Sequence, residues 1–158
     1  MAVIIDGSAS ATFATPLPVT EGGTGSSVAA AFGRVVRTAG NITTTSTSLV
    51  DVTGATVTIT TGAFPVAYGV AKSFQHGSLA GNIYFNIDID GVKQIGSLGI
   101  YTNASTAGYT QNGSFTGISV ALTAAAHTIK EMWSVNTGTG TIIANSVNSH
   151  LFYAQEIR

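Results

Sequence analysis

The sequence has no cysteine and very little charge. Only 8% of its 158 residues are Asp, Glu, Lys or Arg, whereas about 25% is usual for soluble domains. The missing cysteines exclude disulfides and thiolate metal sites. Six basic residues against seven acidic ones leave a net charge of −1, which provides no basic field to hold a polyanion. We therefore expect no nucleic-acid partner.

Long hydrophobic runs are also missing. No segment has the ~18 uninterrupted apolar residues that predict a membrane span. The first residues, Met1–Asp6, lack the basic flank and the long apolar run of a secretory signal. We therefore predict synthesis in the host cytoplasm and no membrane partner. Hydrophobic residues still make up 44% of the chain, and this content at low net charge predicts a chain that folds.

The first thirty-odd residues differ in composition from the rest. Pro16 and Pro18 favour extended backbone, and Gly22–Gly25 is typical of a flexible stretch. We predict an extended arm over residues 1–33 and one domain over residues 34–158. The apolar residues of the arm are too few for a core of their own and are expected to bury against another surface. They are Val3, Ile4, Ile5, Phe13, Leu17 and Val19.

From Arg34 onward, apolar and polar residues alternate with the period of β-strands. In Gly81–Asp90 the four residues Ile83, Phe85, Ile87 and Ile89 fall on one face. Asp90–Gly91 then predicts a type I′ turn into a second strand. The segment that follows Thr47 is predicted to form separate strands over Thr47–Val52 and Thr56–Thr61. A long loop is predicted over Asn103–Asn112.

This pattern predicts an all-β protein, a jelly-roll sandwich of about eight to ten antiparallel strands that follows the arm. Trp133 could occupy the position of the buried immunoglobulin tryptophan. However, no cysteine pair flanks it, and an immunoglobulin-like sandwich has fewer strands. The jelly roll is therefore the preferred fold.

Residues that could carry chemistry are scattered. Asp88–Gly91 resembles the start of a calcium loop, but the position that needs a bidentate Glu is Gly99. His76, His127 and His150 lack the spacing of a zinc site, so we expect structural roles. No serine lies in a G-x-S-x-G motif, and no pair of carboxylates stands out for glycoside hydrolysis. The prediction is no catalytic, cofactor-binding or metal-binding residue, and no enzyme.

Two stretches resemble proteins of tailed bacteriophages. Pro16–Gly25 resembles the Pro-Val-x-x-Gly-Gly-Thr-Gly segment of tail-fibre and virion-surface proteins. Three C-terminal stretches look like the final strands of phage jelly rolls that are related in shape to tumour-necrosis-factor trimers; they are Leu122–Trp133, Gly138–Ile142 and Leu151–Ile157. The resemblance implies a homotrimer on the virion surface.

The arm leads directly into the domain without a shaft, which favours a capsid decoration (cement) protein over a tail fibre. In this interpretation the arm binds the major capsid protein and the protein stabilises the capsid. The alternative is the receptor-binding tip of a tail or head fibre, with a host-surface glycan as partner and Tyr101 and Tyr109 as an exposed aromatic pair. Leu151, Phe152 and Tyr153 are the predicted trimer contact, because successive residues of a strand cannot all face one core.

Overall fold

A computed structural model describes residues 30–78, 81–96, 100–103 and 107–158, with the backbone alone for residues 100–103. These residues form eleven strands and no helix. The strands are β1 (Phe32–Arg37), β2 (Ile42–Thr44), β3 (Val50–Thr60), β4 (Val66–His76), β5 (Asn82–Ile89), β6 (Val92–Lys93), β7 (Ile100–Asn103), β8 (Gln111–Ile118), β9 (Ala126–Val135), β10 (Gly140–Ile143) and β11 (His150–Glu156).

The strands form two antiparallel sheets that pack as a sandwich. The first sheet contains β1, β11, β4 and β8 in that order. The second half of β4 also pairs with β10, and β10 pairs with β2. The second sheet contains β3, β9, β5 and β7 in that order, with β6 beside the end of β5. The chain passes between the sheets in the order of a jelly roll. The predicted all-β jelly roll is therefore confirmed.

The Asp90–Gly91 hairpin is confirmed in detail. Both residues have positive φ, 51° for Asp90 and 89° for Gly91, as a type I′ turn requires. Ile89 pairs with Val92 across the turn. In β5 the alternating residues Ile83, Phe85, Ile87 and Ile89 are all buried. Local residue chemistry was sufficient to predict this hairpin.

One local expectation was wrong, and one strand was missed. The separate strands predicted over Thr47–Val52 and Thr56–Thr61 are one strand, β3, with a shift of register between Asp51 and Thr56. Gly54 lies inside this bulge with a φ of 77°, a conformation that glycine adopts without steric cost. The sequence also did not predict the short strand β2, which pairs with β10.

The core lies between the sheets and contains β-branched and aromatic side chains, including Trp133, Ile142 and Phe152. β1 begins at Phe32, so residues 32 and 33, which the sequence assigned to the arm, belong to the first sheet. Gly33 lies against Val57 and Ile59 of the opposite sheet. The first sheet therefore begins before Arg34, where the sequence analysis placed the start of the domain.

Candidate functional site

One end of the sandwich contains the start of β1 together with the starts or ends of several other strands. β1 starts there, and its residue Phe32 pairs with Gln155 near the end of β11. β3, β5 and β8 also end at this end, and β4 and β9 start there. We call it the arm-proximal end, after the predicted arm that precedes β1. Residues 30 and 31 lead into β1 at this end.

Exposed apolar side chains are concentrated at the arm-proximal end. Six of the ten large apolar side chains that are exposed in the described part of the chain lie in or beside these strand ends. They are Phe32, Phe64, Val92, Ile118, Val120 and Ile157. Surface apolar residues that stand alone are ordinary, but a concentration of them indicates a contact surface.

Glu156 fixes the start of β1 to this end. Its carboxylate accepts hydrogen bonds from the Ala31 N–H at 3.2 Å and from the Gly62 N–H at 2.5 Å. Arg158 Nε donates to the same carboxylate at 2.8 Å. These donors, the Gly62 amide first, hold the pKa of Glu156 below its usual value. The start of β1 is thus held by a buried carboxylate.

A mostly apolar groove of about 290 Å³ lies at the same end. Val92, Val120 and Leu122 line it beside Asp90 and His127. The Leu122 N–H donates to the Phe64 carbonyl at 3.2 Å, and Phe64 is two residues from Gly62. This contact connects the groove to the start of β1, because Glu156 binds both Gly62 and Ala31.

His127 and Asp90 form an ion pair at the rim of this groove, with 2.5 Å between Nδ1 and Oδ2. The Thr123 carbonyl binds the other ring nitrogen at 2.9 Å, as expected for a histidine that contacts a turn. The hydrogen bond with Asp90 raises the pKa of His127. The same hydrogen bond lowers the pKa of Asp90. The pair holds the β5–β6 hairpin against β9.

The other acidic residues near this hairpin also have partners. Asp88 accepts the Gly91 N–H at 2.8 Å, which is a hydrogen bond within the turn. Asp51 binds Lys130 Nζ at 2.9 Å on the surface. In the described residues no group of three or more His, Cys, Asp or Glu side chains is placed to hold a metal ion. The arrangement here is that of a hairpin with internal contacts.

The core contains a second polar cluster, which we call the buried triad: Lys72 of β4, Glu131 of β9 and His150 of β11. Lys72 Nζ contacts Glu131 Oε1. His150 Nε2 lies 2.6 Å from Oε2, the other oxygen of the same carboxylate. The side chains of all three are at least 98% buried. The triad therefore links the two sheets across the core.

Aromatic rings surround the amine of the triad. Lys72 Nζ lies 3.2 Å from the centroid of the Phe85 ring and 5.5 Å from that of Phe115. Burial lowers the pKa of Lys72 to about 8, although the Glu131 carboxylate acts in the opposite direction. Burial also acts to raise the pKa of Glu131, but Lys72 and His150 outweigh it and hold that pKa below its usual value.

The sequence analysis did not predict the triad. Its signal was present, because Lys72 alternates with Val70 and Phe74 on the apolar face of β4. In the same way Glu131 lies between Ile129 and Trp133 on the apolar face of β9. A charged residue at a core position of an alternating strand indicates a buried partner. Only the tertiary structure identifies that partner.

The three residues of the predicted trimer contact lie on two faces of β11. Phe152 is 0% exposed and belongs to the core, so it has no surface to offer to another subunit. Leu151 and Tyr153 lie on the opposite face of β11 and are half-buried. Tyr153 packs over Gly69, where a Cβ atom would overlap its ring. Alternation along the strand sends one of the three residues inward and two outward.

The remaining predicted residues fall on different parts of the chain. Six arm residues lie outside the described residues: Val3, Ile4, Ile5, Phe13, Leu17 and Val19. Tyr109 is 62% exposed, and the neighbouring Gly108 donates its N–H to the His76 carbonyl, opposite the arm-proximal end. Tyr101 lies in β7, whose side chains are not described. His76 is buried, with its ring nitrogens beside the Ser78 and Thr137 carbonyls.

Comparisons with known proteins match this chain to solved structures alone. No protein-family model matches the chain, and no curated protein matches it. Two solved structures that do match come from infectious bursal disease virus. The Gt strain structure has a TM-score of 0.46 and 12% identity, and the Gx strain structure has 0.37 and 16%, each over 98% of this chain. This chain spans 42% of the length of each of those chains.

Across the described ranges, no helix is long and apolar enough to cross a membrane.

Proposed function

We propose that this protein is a non-enzymatic structural component of a virion, most specifically a homotrimeric decoration protein of a capsid. The single observation that carries the proposal is the concentration of exposed apolar side chains at the arm-proximal end. An arm with six apolar residues joins the domain at that same end. The arm and this end together would form one attachment surface on the major capsid protein.

The resemblance of Pro16–Gly25 to phage virion-surface proteins supports the same location. Each arm side chain that becomes well buried on the shell contributes about 1.5–3 kcal/mol before the cost of ordering is subtracted. Three arms on one trimer add avidity, because binding of the first raises the local concentration of the others. A weak single arm is therefore sufficient for stable attachment.

A truncation tests this attachment. Because Ala31 binds Glu156 and β1 starts at Phe32, the deletion should end at residue 29 so that the sheet stays complete. We expect the truncated protein to keep its melting temperature and to lose co-sedimentation with undecorated capsids. Co-sedimentation at near wild-type stoichiometry would show that the arm is not the anchor.

A matched pair of surface variants tests the arm-proximal end itself. Val120→Ser changes a residue at this end that is 80% exposed, and Val147→Ser changes one that is 87% exposed and lies beside Asn148 and Ser73. Neither substitution should alter folding. We expect weaker capsid binding from Val120→Ser alone. If the two variants bind capsids equally well, this end of the domain is not part of the attachment surface.

A receptor-binding fibre tip is the second candidate, and one observation favours it. Tyr109 is 62% exposed at the end opposite the arm, where a tip would meet a host-surface glycan. Tyr109→Ser would then abolish adsorption of virions to host cells and leave their assembly unchanged. A decoration protein predicts normal adsorption for this variant. The number of copies in each particle separates the two as well, with hundreds expected for decoration.

A further inference from the structure

The buried triad consists of an amine, a carboxyl group and an imidazole that meet in the core. Lys72 extends from the first sheet and Glu131 from the second, and the two side chains touch between the sheets. Leu151 pairs with Ala71, so the preceding residue of β11, His150, lies beside Lys72. The two partners of Glu131 use different oxygens of its carboxylate.

As an ion pair this arrangement has little structural justification. Removing two charges from water is costly, and apolar residues of similar size often replace such a pair without loss of stability. Only 8% of the residues in this chain are charged, yet one lysine and one glutamate are placed in its core. Conversion of the pair to a neutral group would remove both buried charges.

We propose that Lys72 and Glu131 join in an intramolecular amide bond between Nζ and Cδ, formed by the folded protein itself, with His150 as the residue that stabilises the reacting carboxyl oxygen. The two side chains would then form a covalent link between β4 and β9. In a chain without cysteine, this bond would serve as the cross-link between the two sheets.

The contacts match the steps of the reaction. The ammonium of Lys72 gives one proton to Oε1 of Glu131, which leaves a neutral amine beside a neutral acid. Nζ attacks Cδ, and negative charge develops on Oε2, where His150 Nε2–H donates a hydrogen bond. A second proton passes from Nζ to the Oε1 hydroxyl, which leaves as water. The N–C bond forms, the Cδ–Oε1 bond breaks, and no other reactant is needed.

The surroundings favour this reaction. Lys72 Nζ lies in a core that excludes water, and burial favours the neutral amine at ordinary pH. The lowered pKa of Lys72 has the same origin. Two opposing strands hold the reacting groups in contact, which supplies the proximity that such a condensation requires. The water released leaves a site that offers it few polar partners.

Intact-mass spectrometry of the full-length protein tests the proposal directly. We expect the main species to be lighter than its sequence mass by one water molecule. Trypsin cleaves after Lys and Arg, so the denatured protein should yield one branched peptide that joins residues 38–93 to residues 131–158, with no cleavage after Lys72. Lys72→Met should restore the full mass, and Lys130→Met, which removes the exposed lysine that binds Asp51, should keep the loss of water.

Two results would overturn the proposal. One is a wild-type protein of full sequence mass that trypsin cleaves normally after Lys72. The other is loss of water located by peptide mapping in a linear peptide, for example by cyclisation at Asp90–Gly91. Both are measured on the wild-type protein, so the decision stands even if the triad variants fail to fold. His150→Phe should lower the cross-linked fraction in folded protein, since it removes the hydrogen bond to Oε2.

Discussion

Replacing Phe152 with alanine tests whether this residue belongs to the core. The side chain is 0% exposed, and a phenylalanine buries about 150–250 Å². At about 25 cal/mol per Å², full burial contributes roughly 4–6 kcal/mol. Alanine retains part of that area and leaves a cavity, so we expect the free energy of unfolding to fall by about 3–5 kcal/mol. A domain of ordinary stability, about 5–15 kcal/mol, would lose a large fraction of it.

Urea unfolding, followed at two protein concentrations, measures this loss. The midpoint should fall with little change in slope, and the melting temperature should drop by about 6–20 °C. Leu151→Ala is the control, because its half-buried side chain lies on the other face of β11 and should cost much less. If Phe152→Ala changes stability by less than about 1 kcal/mol yet dissociates an oligomer, the side chain lies at a subunit interface and the core assignment is wrong.

Three further predictions concern the hairpin, the sheet surface and metal ions. Because the pKa of His127 is raised, its bond to Asp90 stabilises the fold fully below the ordinary histidine pKa of 6.5, and this stabilisation is lost as pH rises through the raised pKa. Because the pKa of Asp90 is lowered, the stabilisation from the same bond is also lost as pH falls through that lowered pKa. An NMR titration should therefore show the pKa of His127 falling in Asp90→Asn, and an unchanged value would contradict the pairing. Gly69→Ala should cost about 1–3 kcal/mol, because the new methyl group displaces the Tyr153 ring, and thermal unfolding next to the wild type would detect it. A chelator should leave the melting temperature unchanged, and a shift of several degrees on adding EDTA or calcium would show that the roles of Asp88 and Asp90 had been misread.

Some parts of the candidate site could be predicted from the sequence. The β5–β6 hairpin and its turn depend on residues adjacent in the chain, Asp90 and Gly91 above all, and the prediction was correct. For His127 the sequence predicted only a structural role, and its contact with the Thr123 carbonyl, four residues away, is local. The sequence did not predict its pairing with Asp90, 37 residues distant.

The sequence by itself determined the strand class and the jelly-roll architecture. Alternation with a period of two and turn residues between strands encode these features locally. Only the tertiary structure decided that Phe152 faces inward and that Lys72, Glu131 and His150 meet. Lys72 and Glu131 are separated by 59 positions. Their contact depends on how the two sheets stack, and no local pattern specifies that arrangement.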